Sequence, residues 1–106
     1  MGIFDLLNGP DINEGIKQYQ ADERGVLIDA REANEYAGGH LKGSINLPLS
    51  RFMEAETMFE DKSVPIYVYC HSGARSKRMV AGLTKLGFNK VVNIGGIMDY
   101  KGQLER

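Results

Sequence analysis

The feature that most restricts the fold is the apolar segment 64–70, VPIYVYC, which ends on the only cysteine of the chain. Aromatic and β-branched residues next to a proline are typical of a buried β-strand. A helical pattern follows almost at once, from Lys77 to Leu86. The sequence therefore predicts a strand that delivers one thiol, Cys70, to a short loop in front of a helix.

The residues after the thiol suit a tight turn. His71, Ser72, Gly73 and Ala74 are small or polar, and Gly73 can adopt a positive φ. Ser76 is a candidate N-cap for the helix. A short loop between a strand and a helix can direct several backbone N–H groups, and the positive end of the helix dipole, at one point. Such an arrangement stabilises an anion.

Three cationic side chains, Arg75, Lys77 and Arg78, lie around the same turn. Because this environment favours the thiolate over the thiol, we expect the pKa of Cys70 to be lowered and its sulfur to be reactive. A lone cysteine at a strand end can also be a small apolar core residue. The close succession of glycine, arginine and a helix start favours a nucleophile instead.

Four segments resemble the rhodanese family of sulfurtransferases. The pattern Cys-x-x-Gly-x-Arg-Ser at 70–76 is similar to the family's active-site loop, in which a cysteine carries a persulfide sulfur. Residues 26–36 are similar to its first strand, Asp-x-Arg turn and Glu-Tyr helix. Residues 39–48 resemble its Gly-His-Ile-x-Gly-Ala-x-Asn segment, and residues 86–96 its closing helix, strand and double glycine. The family commonly has tryptophan where Tyr100 stands.

This resemblance implies a rhodanese-like three-layer α/β fold, with a mainly parallel central sheet and helices on both faces. The alternation of strands and helices favours the same architecture. We expect a lead-in segment over residues 1–10 and one rhodanese-like domain over residues 11–106. Ligand sites in parallel sheets lie at the carboxyl ends of the strands, which is where Cys70 is expected.

Periodicity and capping signals predict the remaining elements. Asp11 followed by Glu14 resembles a capping box that opens a helix. Ser50 is a candidate cap for a helix over residues 51–59. Further strands are predicted at 26–30, 44–48 and 91–94. The polar tail from Lys101 to Arg106 is expected to fray.

Four further residues are candidates for roles beside the thiol. Asp29 and Arg31 could act in catalysis, but buried charges are tolerated when they are paired, so we interpret them as structural. Glu35 lies four residues after Arg31 and is a second candidate partner for it. His40 lies in a loop next to a glycine, and we interpret it as a hydrogen-bonding strut rather than a general base. The family resemblance also implies supporting roles for these positions.

We therefore expect a thiosulfate sulfurtransferase-like enzyme that needs no cofactor. The thiolate of Cys70 would take a sulfane sulfur from thiosulfate or another persulfide-level donor and pass it to cyanide or a thiol. Backbone N–H groups of residues 71–76 would hold the persulfide. Arg75, with Lys77 or Arg78, would attract the small anionic donor.

Three alternatives remain open from the residues. A persulfide carrier would meet a protein acceptor and turn over small donors poorly. A rhodanese-like regulatory module would bind a partner without catalysis, although such modules often lack the cysteine. Cysteine phosphatases and arsenate reductases use a related thiolate loop, but they generally have five residues between cysteine and arginine. Here four residues separate Cys70 from Arg75.

Composition argues against several other classes of protein. The 13 basic and 14 acidic residues nearly balance, so nothing indicates a nucleic-acid or membrane surface. One cysteine and two histidines, His40 and His71, make neither a disulfide nor a credible zinc site. No apolar stretch approaches the roughly 18 residues of a membrane span. We expect a cytoplasmic protein, since a free reactive thiol suits a reducing compartment.

Overall fold

A four-stranded parallel sheet forms the centre of the molecule in the computed structural model, which describes residues 9–106. The strands are β1 (Val26–Asp29), β2 (Ser44–Asn46), β3 (Ile66–Cys70) and β4 (Val91–Gly96). They lie in the order β2-β1-β3-β4 and pair in parallel throughout. Each strand falls where the sequence predicts one. The largest shifts are two residues each: β2 ends at Asn46, β3 begins at Ile66 and β4 continues to Gly96.

Helices cover both faces of this sheet. The α-helices are α1 (Ile12–Ala21), α2 (Ala33–Gly38), α3 (Ala55–Met58) and α4 (Ala74–Lys85), and 3-10 helices span Leu49–Glu54 and Ile97–Asp99. Side chains of α1 pack on one face, and those of α4 and α3 pack on the other. The predicted three-layer α/β fold is therefore confirmed. No helix within residues 9–106 combines the length and apolarity needed to cross a bilayer.

The alternation of side chains along β3 decides where the thiol points. Ile66, Val68 and Cys70 belong to the core cluster beneath α4, together with Met79 and Leu83 of that helix. Tyr69 belongs to the cluster on the other face, beneath α1. Successive side chains of a strand point to opposite faces, so the last residue of β3 directs its sulfur toward the start of α4.

Two predictions about helix starts were wrong. The N-cap of α4 is Gly73, with φ of +99°, and not Ser76. A left-handed glycine lets the chain turn directly from the loop into the helix, so Ser76 falls inside the first turn. Residues 49–54 form a 3-10 helix and only 55–58 are α-helical, because Arg51 has non-helical dihedral angles and Pro48, not Ser50, occupies the cap position.

The start of α1 matches its prediction in part. Asp11 is the N-cap, and its carboxylate accepts a hydrogen bond from the backbone N–H of Asn13 at 2.9 Å. The carboxylate of Glu14, expected to close a capping box, pairs with Lys17 at 3.4 Å. The lead-in predicted over residues 1–10 lies mostly outside the described residues, and the boundary at residue 11 stays a prediction.

Close packing of α1 on the sheet depends on Gly15. A Cβ atom at this position would collide with Cβ and Cγ2 of Ile94 in β4. We expect Gly15→Ala to lower the free energy of unfolding by about 1–3 kcal/mol, because overpacking forces the helix away from the sheet. Gly38→Ala, where the added methyl group meets open space, is the control and should cost less than about 1 kcal/mol. Urea denaturation measures both; equal losses would contradict the packing argument.

Candidate active site

The candidate site lies where two adjacent strands end. Cys70 is the last residue of β3, and Asp29 is the last residue of the neighbouring β1. From this pair of strands, β2 extends the sheet on one side and β4 extends it on the other. Parallel sheets bind ligands at such a reversal of strand order, on the carboxyl side.

Three hydrogen-bond donors surround the sulfur of Cys70. The backbone N–H groups of Gly73 and Ser76 lie 3.0 and 3.3 Å from Sγ, and the hydroxyl of Ser76 lies 3.4 Å away. Cys70 itself is completely buried, whereas His71 and Ser72 are exposed. The loop therefore covers the sulfur and directs donors at it.

The pKa of Cys70 is lowered, as the sequence predicts. Burial acts in the opposite direction and is the largest single influence, but hydrogen bonds from Ser76, Gly73 and Ser72 together outweigh it. These donors favour the charged form because they bind a thiolate more strongly than a thiol. The hydrogen-bond donors expected from the loop are the main cause of this lowered pKa, and Arg75 adds an electrostatic interaction with Cys70.

Arg75 is engaged by a carboxylate of α2. Its Nη1 and Nη2 donate to Oε1 and Oε2 of Glu35 at 2.7 and 2.9 Å, and both side chains are about one-third exposed. These hydrogen bonds lower the pKa of Glu35 from 4.5 to about 2. Glu35, the second candidate partner of Arg31, therefore hydrogen-bonds to Arg75 instead and interacts with Arg31 only electrostatically. The carboxylate of Glu35 thus balances the charge of Arg75, which was expected to attract an anionic sulfur donor.

Asp29 and Arg31 form a buried ion pair, as predicted. Arg31 Nη2 lies 2.8 Å from Asp29 Oδ2, and its Nε is 3.0 Å from Oδ1. The same guanidinium donates to the carbonyl of Gly39 at 2.6 Å. Asn46 completes the turn, with its amide donating to the carbonyls of Asp29 and Arg31. These contacts match the structural interpretation of the Asp-x-Arg turn.

His40 contacts the protein scaffold, in agreement with its interpretation as a strut. Its Nδ1 lies 2.9 Å from the carbonyl oxygen of Tyr36, and its ring stacks on the Tyr36 ring with 3.8 Å between centroids. Its backbone exchanges two hydrogen bonds with Glu105. The expectation that the C-terminal tail frays is wrong at this position.

The loop also packs against β4. The backbone N–H of Met98 donates to the carbonyl of His71 at 3.1 Å, and a Cβ on Gly96 would collide with His71 and Ser72. Gly96 therefore lets the loop lie directly on the end of β4, whereas a Cβ at Gly95 would meet the backbone of Pro10. Lys77 and Arg78 are exposed on α4.

Sequence reasoning gave no role to Asn93, although the structure places it against the loop. Its Nδ2 donates to the carbonyl of Gly73 at 3.2 Å, and its Oδ1 accepts from the hydroxyl of Ser76 at 2.7 Å. The available signal was an amide side chain within an otherwise apolar strand. An amide withdrawn from solvent needs partners, so such a residue predicts a contact with polar backbone.

Clusters of three or more histidine, cysteine or acidic side chains that could hold a metal ion are absent from residues 9–106. The N–H and O–H donors around Sγ suit the chemistry of a thiolate. Donors placed in this way stabilise negative charge on sulfur, whether on a thiolate or on a sulfur atom bonded to it.

Known proteins share this sequence and fold. A family model described as Rhodanese-like domain matches residues 12–103. The putative sulfur carrier protein YrkF of Bacillus subtilis (strain 168) is 35% identical in an alignment 99 residues long that covers 91% of this chain and 53% of that protein. A tRNA uridine(34) hydroxylase of Enterobacter sp. (strain 638) is 35% identical in an alignment 111 residues long that covers 93% of this chain and 32% of the relative.

A solved structure described as a rhodanese with anions from E. coli is also similar. Its TM-score is 0.71 at 30% sequence identity, and the match covers 77% of this chain and 98% of that one. The chain spans about half the length of the sulfur carrier relative and about a third of the hydroxylase. The family model covers most of the chain, including β1, the Cys70 loop and β4. This chain belongs to the rhodanese-like domain family.

Proposed function

We propose that the protein is a sulfurtransferase that carries a sulfane sulfur on Cys70. The observation that supports this most directly is the set of three donors on Sγ, from Gly73 and Ser76, in a loop at the carboxyl end of a parallel strand. The donors lower the pKa of the thiol, and the thiolate is the form that attacks sulfur.

The first step loads the cysteine. The thiolate of Cys70 attacks the outer sulfur of thiosulfate, a new S–S bond forms, and sulfite leaves with the electron pair of the broken S–S bond. A persulfide donor R–S–SH reacts in the same way: its S–S bond breaks, R–S⁻ leaves, and the proton of the transferred S–H group passes to the leaving thiolate or to water. The product is an anionic persulfide on Cys70, which N–H groups of the loop would stabilise as they stabilise the thiolate.

The second step returns the enzyme to its starting state. An acceptor thiolate or cyanide attacks the outer sulfur of the persulfide, the S–S bond to Cys70 breaks, and the electron pair returns to Sγ as the thiolate. Neither step consumes an oxidant or a reductant. The hydrogen-bond donors of the loop would stabilise both the thiolate and the persulfide of Cys70. The proposed reaction therefore uses no cofactor.

Cationic groups on the loop side of α4 would attract an anionic donor. A cleft of about 510 Å³ borders the loop and is lined by Ser72, Gly73 and Lys77 among others. Because Arg75 is paired with Glu35, we assign the attraction of donors chiefly to Lys77, with Arg78 exposed one residue further along α4. Since Cys70 is buried, loading also requires an outward movement of the loop.

A persulfide carrier that serves a protein acceptor is the second candidate. Similarity to a protein named as a putative sulfur carrier favours it, and the buried sulfur is consistent with slow reaction toward small donors. A phosphatase is less well supported. Its arginine must bind the substrate's oxyanion, whereas Arg75 has both terminal nitrogens on Glu35.

Intact mass spectrometry tests the proposal. The purified protein is incubated with thiosulfate, or with inorganic polysulfide, and its mass is measured before and after cyanide is added. We expect a gain of about 32 Da, one sulfur atom, that cyanide removes as thiocyanate. A carrier should load from polysulfide but turn over slowly with cyanide. Absence of any adduct with both donors would exclude sulfur transfer.

Glu35 should limit the reaction of Cys70 with anions. In Glu35→Gln, Arg75 loses its ionised partner and becomes available to an anionic reagent. We expect the rate of alkylation by iodoacetate to rise about fivefold relative to that by neutral iodoacetamide, equivalent to ~1 kcal/mol. Glu56→Gln is the control, because this carboxylate pairs with Lys62 rather than with the loop. An unchanged ratio in Glu35→Gln would show that the pair does not screen the thiol.

A further inference from the structure

The hydroxyl of Ser76 has one proton and three acceptors within reach. Its Oγ lies 2.7 Å from Asn93 Oδ1, 3.1 Å from the carbonyl oxygen of Gly73 and 3.4 Å from Sγ of Cys70. A serine hydroxyl can donate to only one of them at a time. The acceptor that receives the proton decides how strongly the loop stabilises the sulfur.

One acceptor is already satisfied. The carbonyl oxygen of Gly73 accepts the backbone N–H of Lys77 at 3.1 Å and Nδ2 of Asn93 at 3.2 Å. A carbonyl oxygen has two lone pairs, and these two donors occupy them. The proton of Ser76 is therefore left with two acceptors, the amide oxygen of Asn93 and the sulfur of Cys70.

The orientation of the Asn93 amide follows from groups whose roles are fixed. The backbone N–H of Gly95 lies 3.0 Å from Oδ1 and can only donate, whereas the carbonyl of Gly73 beside Nδ2 can only accept. Oδ1 is thus the atom that faces Ser76. Because an amide oxygen only accepts, Ser76 must be the donor in this contact.

We propose that Asn93 is a positioning residue that competes with Cys70 for the hydroxyl proton of Ser76. When Cys70 is a neutral thiol, the hydroxyl donates to Asn93. When Cys70 carries negative charge, the hydroxyl rotates about its Cβ–Oγ bond and donates to sulfur, because a hydrogen bond to an ionised acceptor is the stronger one. Asn93 thereby holds Ser76 and Gly73 in place while it moderates the acidity of the thiol.

Charged groups near the thiol do not take part in this exchange. Arg75 of α4 is paired with Glu35 of α2, and Asp29 at the end of β1 is paired with Arg31. Within residues 9–106, these four side chains make no hydrogen bond to Ser76 or Asn93. His71 is exposed on the loop. The competition is for one hydroxyl proton, between the amide oxygen of Asn93 and the sulfur of Cys70.

A double-mutant cycle tests the proposal on the unmodified protein. The pKa of Cys70 is read from thiolate absorbance and from the pH dependence of iodoacetamide alkylation, in wild type, Ser76→Ala, Asn93→Ala and the double variant. Ser76→Ala should raise the pKa, because the thiolate loses a donor. Asn93→Ala should lower the pKa of Cys70 when the Ser76 hydroxyl is present. The increase in the ionisation constant of the thiol should be about threefold to tenfold larger in this background than in the Ser76→Ala background.

The double-mutant cycle cancels any effect of Asn93→Ala that is the same with and without the Ser76 hydroxyl. Loosening of the loop after loss of the Asn93–Gly73 contact acts with or without the hydroxyl, so it cancels in the comparison. Asn89→Ala, an exposed amide near the start of β4, is the matched control and should change neither background. Equal effects of Asn93→Ala in both backgrounds would overturn the proposal.

A second measurement does not depend on a stable Asn93 variant. The amide of Gly95 shares Oδ1 of Asn93 with Ser76, so its resonance should titrate with the pKa of Cys70 in wild-type protein. In Ser76→Ala the amplitude of this titration should fall by more than half. An unchanged amplitude would show that the Gly95 amide responds only to the charge on the sulfur of Cys70, which would contradict the proposal. Both readouts use the free thiol, so they do not depend on the proposed sulfur transfer.

Discussion

Replacing Cys70 with serine should abolish sulfur loading. A serine hydroxyl is not ionised near neutral pH and cannot form a persulfide, so the variant should show no gain of about 32 Da with thiosulfate or polysulfide. Release of thiocyanate from cyanide should fall at least about 10³-fold, to the rate of the uncatalysed reaction. Intact mass and thiocyanate assays on matched samples measure both.

The fold of this variant should be retained. Serine is slightly smaller than cysteine, and the donors from Gly73 and Ser76 can bind its oxygen. Circular dichroism and urea denaturation therefore serve as the control for folding. Persistence of a cyanide-labile adduct in folded Cys70→Ser would mean that sulfur is carried elsewhere, which is hard to reconcile with a chain that has one cysteine.

The second large effect concerns stability. The carboxylate of Asp29 is completely buried, and the side chain of Arg31 is only 7% exposed. Removing that carboxylate leaves the guanidinium of Arg31 buried without a charged partner. We expect Asp29→Ala to lower the free energy of unfolding by about 3–5 kcal/mol, as for other broken buried ion pairs. That loss is a large fraction of the stability of a small domain. Urea denaturation at neutral pH measures it.

Two variants separate the charge from the packing in this experiment. Arg24→Ala breaks an exposed pair with Asp61 and should cost less than about 1 kcal/mol. Asp29→Ala combined with Arg31→Met removes the unpaired charge and should recover part of the loss. If Asp29→Ala cost no more than Arg24→Ala, the pair would not stabilise the turn beside the thiol.

Local patterns in the sequence were sufficient for much of the site. The apolar, β-branched segment at 64–70 predicts a buried strand that ends on Cys70 in front of a helix. Asp29 and Arg31 are two residues apart, so their pairing follows from a single turn. The sequence also indicates that Gly73 can adopt a positive φ, but it does not identify Gly73 as the N-cap of α4.

Boundaries governed by competing local signals were predicted less well. Ser76 and Ser50 are both reasonable caps by composition, yet neither caps a helix in the structure. Serine is favoured at a cap but is also accepted within a first helical turn, where its hydroxyl can bond to a preceding carbonyl. Composition alone does not distinguish these positions, whereas the dihedral angles of Gly73 and Arg51 do.

The sequence by itself determined the candidate nucleophile, the strand that carries it and the family of the fold. Only the tertiary structure decided which side chains surround that cysteine and its loop. Glu35 meets Arg75 across 40 residues, and Asn93 meets Ser76 across 17. Contacts at this separation depend on the order of the strands and on where each helix packs, and neither is encoded in a local spacing.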